Sequence, residues 1–218
     1  MINRHSMFEN ISRRYDFLNN VISLGLHKII KRFALKELDI KDNQSALDLC
    51  TGTGDIAGIL SKINPTLKVT GVDFSSKMLK IARHKYPDIT FIESDCADIP
   101  FEDNSFDICT IFFGFRNVED KERCLKELYR VIKPNGQFLH LDFGKCNFLC
   151  NRILDIIILI AAKLYAKNRY AYRYLIKTKR EFMNPQEVIQ TFEKYGLKHT
   201  KRRDYVFGII SAQYFVKG

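Results

Sequence analysis

The chain has few of the features that mark a membrane-spanning, metal-bound or secreted protein. Its longest apolar stretch, Ile153–Ala162, is interrupted by Asp155 and followed by Lys163. A spanning helix needs about 20 apolar residues, so this stretch is too short. No Gly/Ser-rich linker, low-complexity tract or internal repeat divides the 218 residues. One globular domain of ordinary size is therefore expected, long enough to bury a full core. The cysteines, Cys50, Cys96, Cys109, Cys124, Cys146 and Cys150, form no Cys-x-x-Cys pair. No neighbouring His completes a zinc pattern, so no metal is expected and reduced thiols are the plain reading. Met1-Ile2-Asn3-Arg4-His5 does not lead into an apolar signal region, which points to the cytoplasm.

Positive charge is plentiful: 35 Lys and Arg against 25 Asp and Glu give a net charge of +10. The excess lies toward the ends, from Arg4 to Lys36 and from Lys177 to Arg203, leaving the middle closer to neutral. Nucleic acid, an anionic membrane surface and simple solubility each account for such a balance.

The most informative stretch is Ser45–Gly58. A short apolar run carrying Asp48 ends in Gly52-Thr53-Gly54, and a helical pattern follows. This is the strand–turn–helix opening of a nucleotide-cofactor site. Gly52-x-Gly54-x-x-Ala57 also fits a dinucleotide fingerprint. Asp48 before the turn and Asp55 after it argue otherwise, because two anions repel a pyrophosphate. A ligand carrying an ammonium and a sulfonium is attracted, and S-adenosylmethionine carries both. Asp73 ends the next strand, 21 residues after Gly52, where it can accept hydrogen bonds from ribose hydroxyls or cap a helix. Asp95 follows the third strand beside Cys96, either within reach of an adenine amino group or solvated in a loop.

Strands are expected at Ala46–Cys50, Lys68–Val72, Ile89–Glu93, Phe106–Phe112 and Gln137–Leu141. Helices are expected at Ile56–Ile63, Ser75–Lys85 and Lys121–Ile132, the last stopped by Pro134-Asn135-Gly136. Such alternation implies a parallel sheet with helices on both faces. Helical patterns also cover 6–38, 148–176 and Pro185–Tyr195, and Leu197–Tyr205 with Ile209–Val216 read as a closing strand pair.

Asp48-x-x-x-Gly52-Thr53-Gly54-Asp55, Val72-Asp73, Asp95–Phe101 and Arg130–Gly136 resemble class I S-adenosylmethionine-dependent methyltransferases. A narrower resemblance spans almost the whole chain. Phe8–Asn19, Ser23–His27, Phe113-Gly114-Phe115-Arg116-Asn117-Val118 and Tyr172–Leu175 are similar to the ubiquinone/menaquinone biosynthesis C-methyltransferase family. It implies an α/β, Rossmann-like, seven-stranded class I methyltransferase sheet with helices on both faces and an N-terminal helical lid. Within a single domain of 1–218, the lid takes 1–40 and the cofactor-binding core 45–142. Substrate-side helices and closing strands take 148–218. Thr53, Asp73, Asp95, Cys96 and Phe112 then occupy cofactor-contacting positions, together with Asp48, Gly52 and Gly54. The chain departs from the family at Ile30, where Trp is expected, at 148–165 and at Asp204–Gln213, mostly on the substrate side.

The implied reaction is C-methylation of a demethylated polyprenyl benzoquinol or naphthoquinol. Arg116 is the first candidate to stabilise a phenolate, with a salt bridge to Glu119 or Asp120 as its alternative. Asn117 would orient substrate or cap the next helix. His27 is a candidate base or a structural histidine. Tyr15 and Asp16 could close over the cofactor. The apolar run at 153–162 would line a tail channel, rest on an anionic bilayer at the inner membrane face, or be a buried helix. A homodimer is compatible with the family. An RNA or other small-molecule methyltransferase and a non-catalytic cofactor-binding subunit are the competing readings. No Pro-Pro-aromatic run or Pro-Cys pair supports nucleic acid as the partner.

Overall fold

The computed structural model describes residues 25–146, 152–157, 159 and 169–218. Tyr15, Asp16 and the rest of the expected lid before residue 25 lie outside them, as does much of the 148–168 segment. Seven strands form one sheet: β1 (Ser45–Leu49), β2 (Lys68–Asp73), β3 (Thr90–Glu93), β4 (Phe106–Phe112), β5 (Ile132–Phe143), β6 (Leu197–Tyr205) and β7 (Ile210–Lys217). Their order is β3-β2-β1-β4-β5-β7-β6. Neighbours from β3 to β5 pair parallel, while β7 runs antiparallel to both β5 and β6. The order reverses between β1 and β4, and open α/β sheets bind ligands at that switch point.

The helices are α1 (Leu26–Leu35), α2 (Asp55–Ile63), α3 (Ser76–Lys85), α4 (Lys121–Val131), α5 (Arg169–Glu181) and α6 (Pro185–Lys194). Their ends follow capping chemistry. Ser75 accepts from Met78 N–H at the start of α3, and Asp120 accepts from Arg123 N–H at the start of α4. Asn184 and Glu187 form a reciprocal capping box at α6. β5 begins earlier than its sequence pattern suggests. Ile132 pairs with Phe106 and Gln137 with Ile108, so Lys133–Gly136 bulges out, with Asn135 at φ +62°.

Alternating strand residues feed two cores. Leu47, Leu49, Cys109, Ile111 and Phe138 pack on one face with α4 and α6. Ala46, Ile108, Leu139 and Leu141 pack on the other with α1, α2 and α3. Residues 152–157 are helical, yet Ile153, Ile156 and Ile157 are exposed. Asp155 is the buried member, bound by Lys179 at 2.6 Å and Arg180 at 2.5 Å from α5. The described part of this run is therefore no buried apolar helix: an ion pair holds its inner side and the apolar side chains face out.

Candidate active site

β1 delivers the chain to a turn in which Gly52 has φ +56° and Gly54 φ +80°. Only residues without Cβ adopt such angles at little cost. A Cβ on Gly54 would meet the Phe91 ring at 2.9 Å, so this glycine also allows α2 to pack closely on β3. A Cβ on Gly52 would meet nothing within 4 Å, which marks an opening above the turn. Asp73, at the end of β2, accepts from the Gly52 N–H at 2.8 Å and from the Ser75 N–H at 2.9 Å. The structure thus brings the buried Asp73 to the glycine turn, where both carboxylate oxygens anchor the loop.

Asp48 points inward. It accepts the Thr51 hydroxyl at 2.5 Å and the Thr110 hydroxyl at 2.7 Å. Burial pushes its pKa up to about 6, against the lowering effect of those two hydroxyls and of Lys31. It braces the turn from beneath and supplies negative potential through it.

Asp55 behaves differently from the sequence expectation. It is ion-paired with Lys85 at 2.6 Å and Lys31 at 3.6 Å. Burial would raise its pKa, but Lys31 and Lys85 overcome this and hold it low. Its charge is spent on joining α1 and α3 to the turn, so Asp48 and Asp73 carry the electrostatic argument for a cationic ligand. His27, on the buried face of α1, lies close enough to Asp55 to add to that lowering. Thr53 is buried within the turn, and Phe112 is buried at the end of β4 in the α1–α2 core.

Asp95 accepts from the Ala97 N–H at 2.8 Å, shaping the loop after β3. The neighbouring Cys96 thiol sits between those of Cys50 and Cys124, which draw its pKa down while their own are raised. Arg130 fixes this loop from α4. Its guanidinium donates to the carbonyls of Ile99 and Phe101 and pairs with Glu127 and Asp103. Among the described residues no cluster of His, Cys, Asp and Glu is arranged to hold a metal.

Arg116 and Asn117 lie in a 3₁₀ turn, Phe115–Asn117, just beyond β4. Arg116 does not pair with Glu119 or Asp120. Its Nη1 donates to Asp142 Oδ1 at 2.6 Å, and both side chains are buried. The guanidinium stands 5.1 Å from the Phe143 ring centroid and 5.9 Å from that of Phe113. Asn117 does not cap α4, since Asp120 does. It donates to the Phe113 carbonyl at 3.4 Å and accepts the Tyr174 hydroxyl at 3.2 Å.

Asp142, His140 and Gln213 were not foreseen as site residues. His140 Nδ1 and Gln213 Oε1 are 2.6 Å apart, across the β5–β7 pairing. Gln213 donates to Ser211, and Ser211 to Asp204. The sequence did hold a signal: His140 and Asp142 are polar residues at strand spacing within a buried strand. Burial lowers the His140 pKa, against the raising effects of Asp142 and of its contact with Gln213.

The opening over Gly52 and the buried carboxylates Asp73 and Asp48 beside it fit S-adenosylmethionine. Set at the switch point of this sheet, they define a class I methyltransferase. The chain belongs to the ubiE/COQ5 methyltransferase family, whose model matches residues 3–217. S-adenosylmethionine is accordingly its methyl donor. The demethylmenaquinone methyltransferase of Staphylococcus aureus (strain JH9) is 36% identical over 214 residues, covering 94% of this chain and 89% of the relative. A SAM-dependent methyltransferase from Thermotoga maritima shares the fold with a TM-score of 0.72 at 21% identity, covering 98% of this chain and 99% of that one. So does Haemonchus contortus phosphoethanolamine N-methyltransferase 2, solved with S-adenosyl-L-methionine, with a TM-score of 0.65 at 18% identity. That match covers 86% of this chain and 52% of the other.

Proposed function

We propose that the enzyme C-methylates the ring of a demethylated polyprenyl quinol, with the naphthoquinol form of demethylmenaquinone as first substrate. The observation that carries this reading is Arg116, a buried cation held among the rings of Phe113 and Phe143 at the end of β4. The bound cofactor supplies an electrophilic methyl group to the ring carbon. That carbon needs electron density, which a ring oxyanion delivers to its ortho position. Arg116 stabilises the oxyanion: one well-placed donor is worth about 3 kcal/mol at a developing charge. Phe113 and Phe143 offer faces for an aromatic ring, and Asn117, tied to α5 through Tyr174, fixes the turn that presents Arg116. Exclusion of water and alignment supply up to ~7–11 kcal/mol. His27, beside Asp55 and Lys31, is assigned to holding α1 against the cofactor turn. The test is methyl transfer to demethylated naphthoquinol and benzoquinol, each freshly reduced, with product mass as the readout. Transfer to neither ring would overturn the proposal, and the preferred ring names the substrate.

A substrate with a polyprenyl tail resides in a bilayer, and α1 supports peripheral contact with one. Leu26, Ile29 and Phe33 form an exposed stripe at helical spacing, flanked by exposed Lys28, Arg32 and Lys36. Phe207, at the β6–β7 turn, is 89% exposed. Among the described residues no helix is long and apolar enough to cross a membrane. Vesicles containing phosphatidylglycerol should sediment the protein, and neutral vesicles should do so less. Ile29→Glu with Phe33→Glu should abolish sedimentation while leaving cofactor binding intact.

A further inference from the structure

The Arg116–Asp142 pair is incompletely satisfied. Asp142 Oδ1 accepts from Arg116 Nη1 at 2.6 Å and from the Phe143 N–H at 2.8 Å. Asp142 Oδ2 and Arg116 Nε are both buried and find no hydrogen-bond partner among the described residues. Leaving such a group unpaired costs roughly 1–3 kcal/mol, and more for a charged one. One ion pair therefore offers a ligand one unused acceptor and one unused donor. A ring hydroxyl presents the complementary chemistry, because it donates and accepts.

We propose that Asp142 is a catalytic residue, the acceptor of the ring-hydroxyl proton. The inference rests on the quinol reading above. In this step the hydroxyl O–H bond breaks and an O–H bond to Asp142 Oδ2 forms, while the electron pair stays on the ring oxygen. The Arg116 guanidinium transfers its pairing from the carboxylate to the new oxyanion. One ion pair and one neutral acid stand on each side of the exchange, so no unpaired charge is created in a buried site. The pairing of Arg116 with Asp142 thus becomes a reservoir: the cation is released as the carboxylate is neutralised. Among the described residues His140 also faces Asp142, and burial pushes its pKa down, which disfavours a second cation competing for the pairing.

The test uses the whole protein and a nitrated naphthol that absorbs visibly only when ionised, at a pH where the free probe is protonated. On the wild type, the bound probe should be ionised. Calorimetry in buffers of different ionisation enthalpy should show no proton reaching the solvent. With Asp142→Asn, the bound probe should stay protonated or release its proton to buffer, and kcat should fall about 10²–10⁴-fold. KM and cofactor affinity should change less than threefold, and unchanged cofactor affinity reports an intact fold. A proton released to buffer by the wild type, absence of any ionised probe on it, or an Asp142→Asn variant with near-normal kcat would overturn the assignment. Failure of the quinol reading looks different: the wild type then methylates no quinol, while the probe still reports where its proton goes.

Discussion

At Asp48 burial and function pull in opposite directions. Its folded pKa of about 6 stands above its ordinary 3.8, so the native chain without ligand holds that proton more tightly than the unfolded chain does. The resulting stability is full below the ordinary value and is lost as pH rises from about 3.8 to about 6, on the order of 3 kcal/mol over that window. The difference in melting free energy between wild type and Asp48→Asn across pH 4–7 should show this slope (~3 kcal/mol, with the sign given). Cofactor affinity should run the other way, weakening below about pH 6, because a cationic ligand favours the ionised carboxyl. Arg116→Ala should lower kcat by about 10²–10³-fold with cofactor affinity within twofold. It also strands the buried Asp142, so melting should report a loss of about 3–5 kcal/mol. Near-normal turnover would remove Arg116 from the mechanism.

Among the elements, the β3–β4 loop shows how one side chain can hold a binding segment. Arg130 in α4 donates to the carbonyls of Ile99 and Phe101 and so ties the loop to its helix. Arg130→Met should cost roughly 1–3 kcal/mol, lowering Tm by about 2–12 °C, and should weaken cofactor binding through Asp95 and Cys96. An unchanged Kd with a lowered Tm would separate the loop from the cofactor. The element pattern was largely legible in the chain. Gly52 and Gly54 marked the turn, Ser75 marked its helix start, and the apolar runs of β1, β2 and β4 were found within a residue. The pairings were less accessible. Asp142 reaches Arg116 from β5, and Asp55 is neutralised from α1 and α3. Local spacing carries no information on which distant side chains tertiary packing will bring to a charge. The early start of β5 was hidden because pairing with Phe106 overrides the Pro134–Gly136 turn signal.

For the molecule as a whole, the C-terminal strand acts as a clasp. Lys217 donates to the Tyr129 and Ile132 carbonyls, each at 2.7 Å, and to Asn104 at 2.9 Å. Lys217→Met should leave these acceptors unsatisfied and cost roughly 1–3 kcal/mol, read as a lower urea midpoint with unchanged slope. The order β5-β7-β6 carries this further. The cofactor turn, the β3–β4 loop and the Thr110 and Arg130 side chains that support them precede β6 and β7 in the chain, whereas His140 waits for Gln213 and β5 waits for a neighbour made later. On the ribosome, the residues assigned to the donor and to the ring hydroxyl are all made before β7, the strand that pairs antiparallel with β5. A nascent chain lacking β7 would carry Asp142 on an unpaired sheet edge, its chemistry written and its wall not.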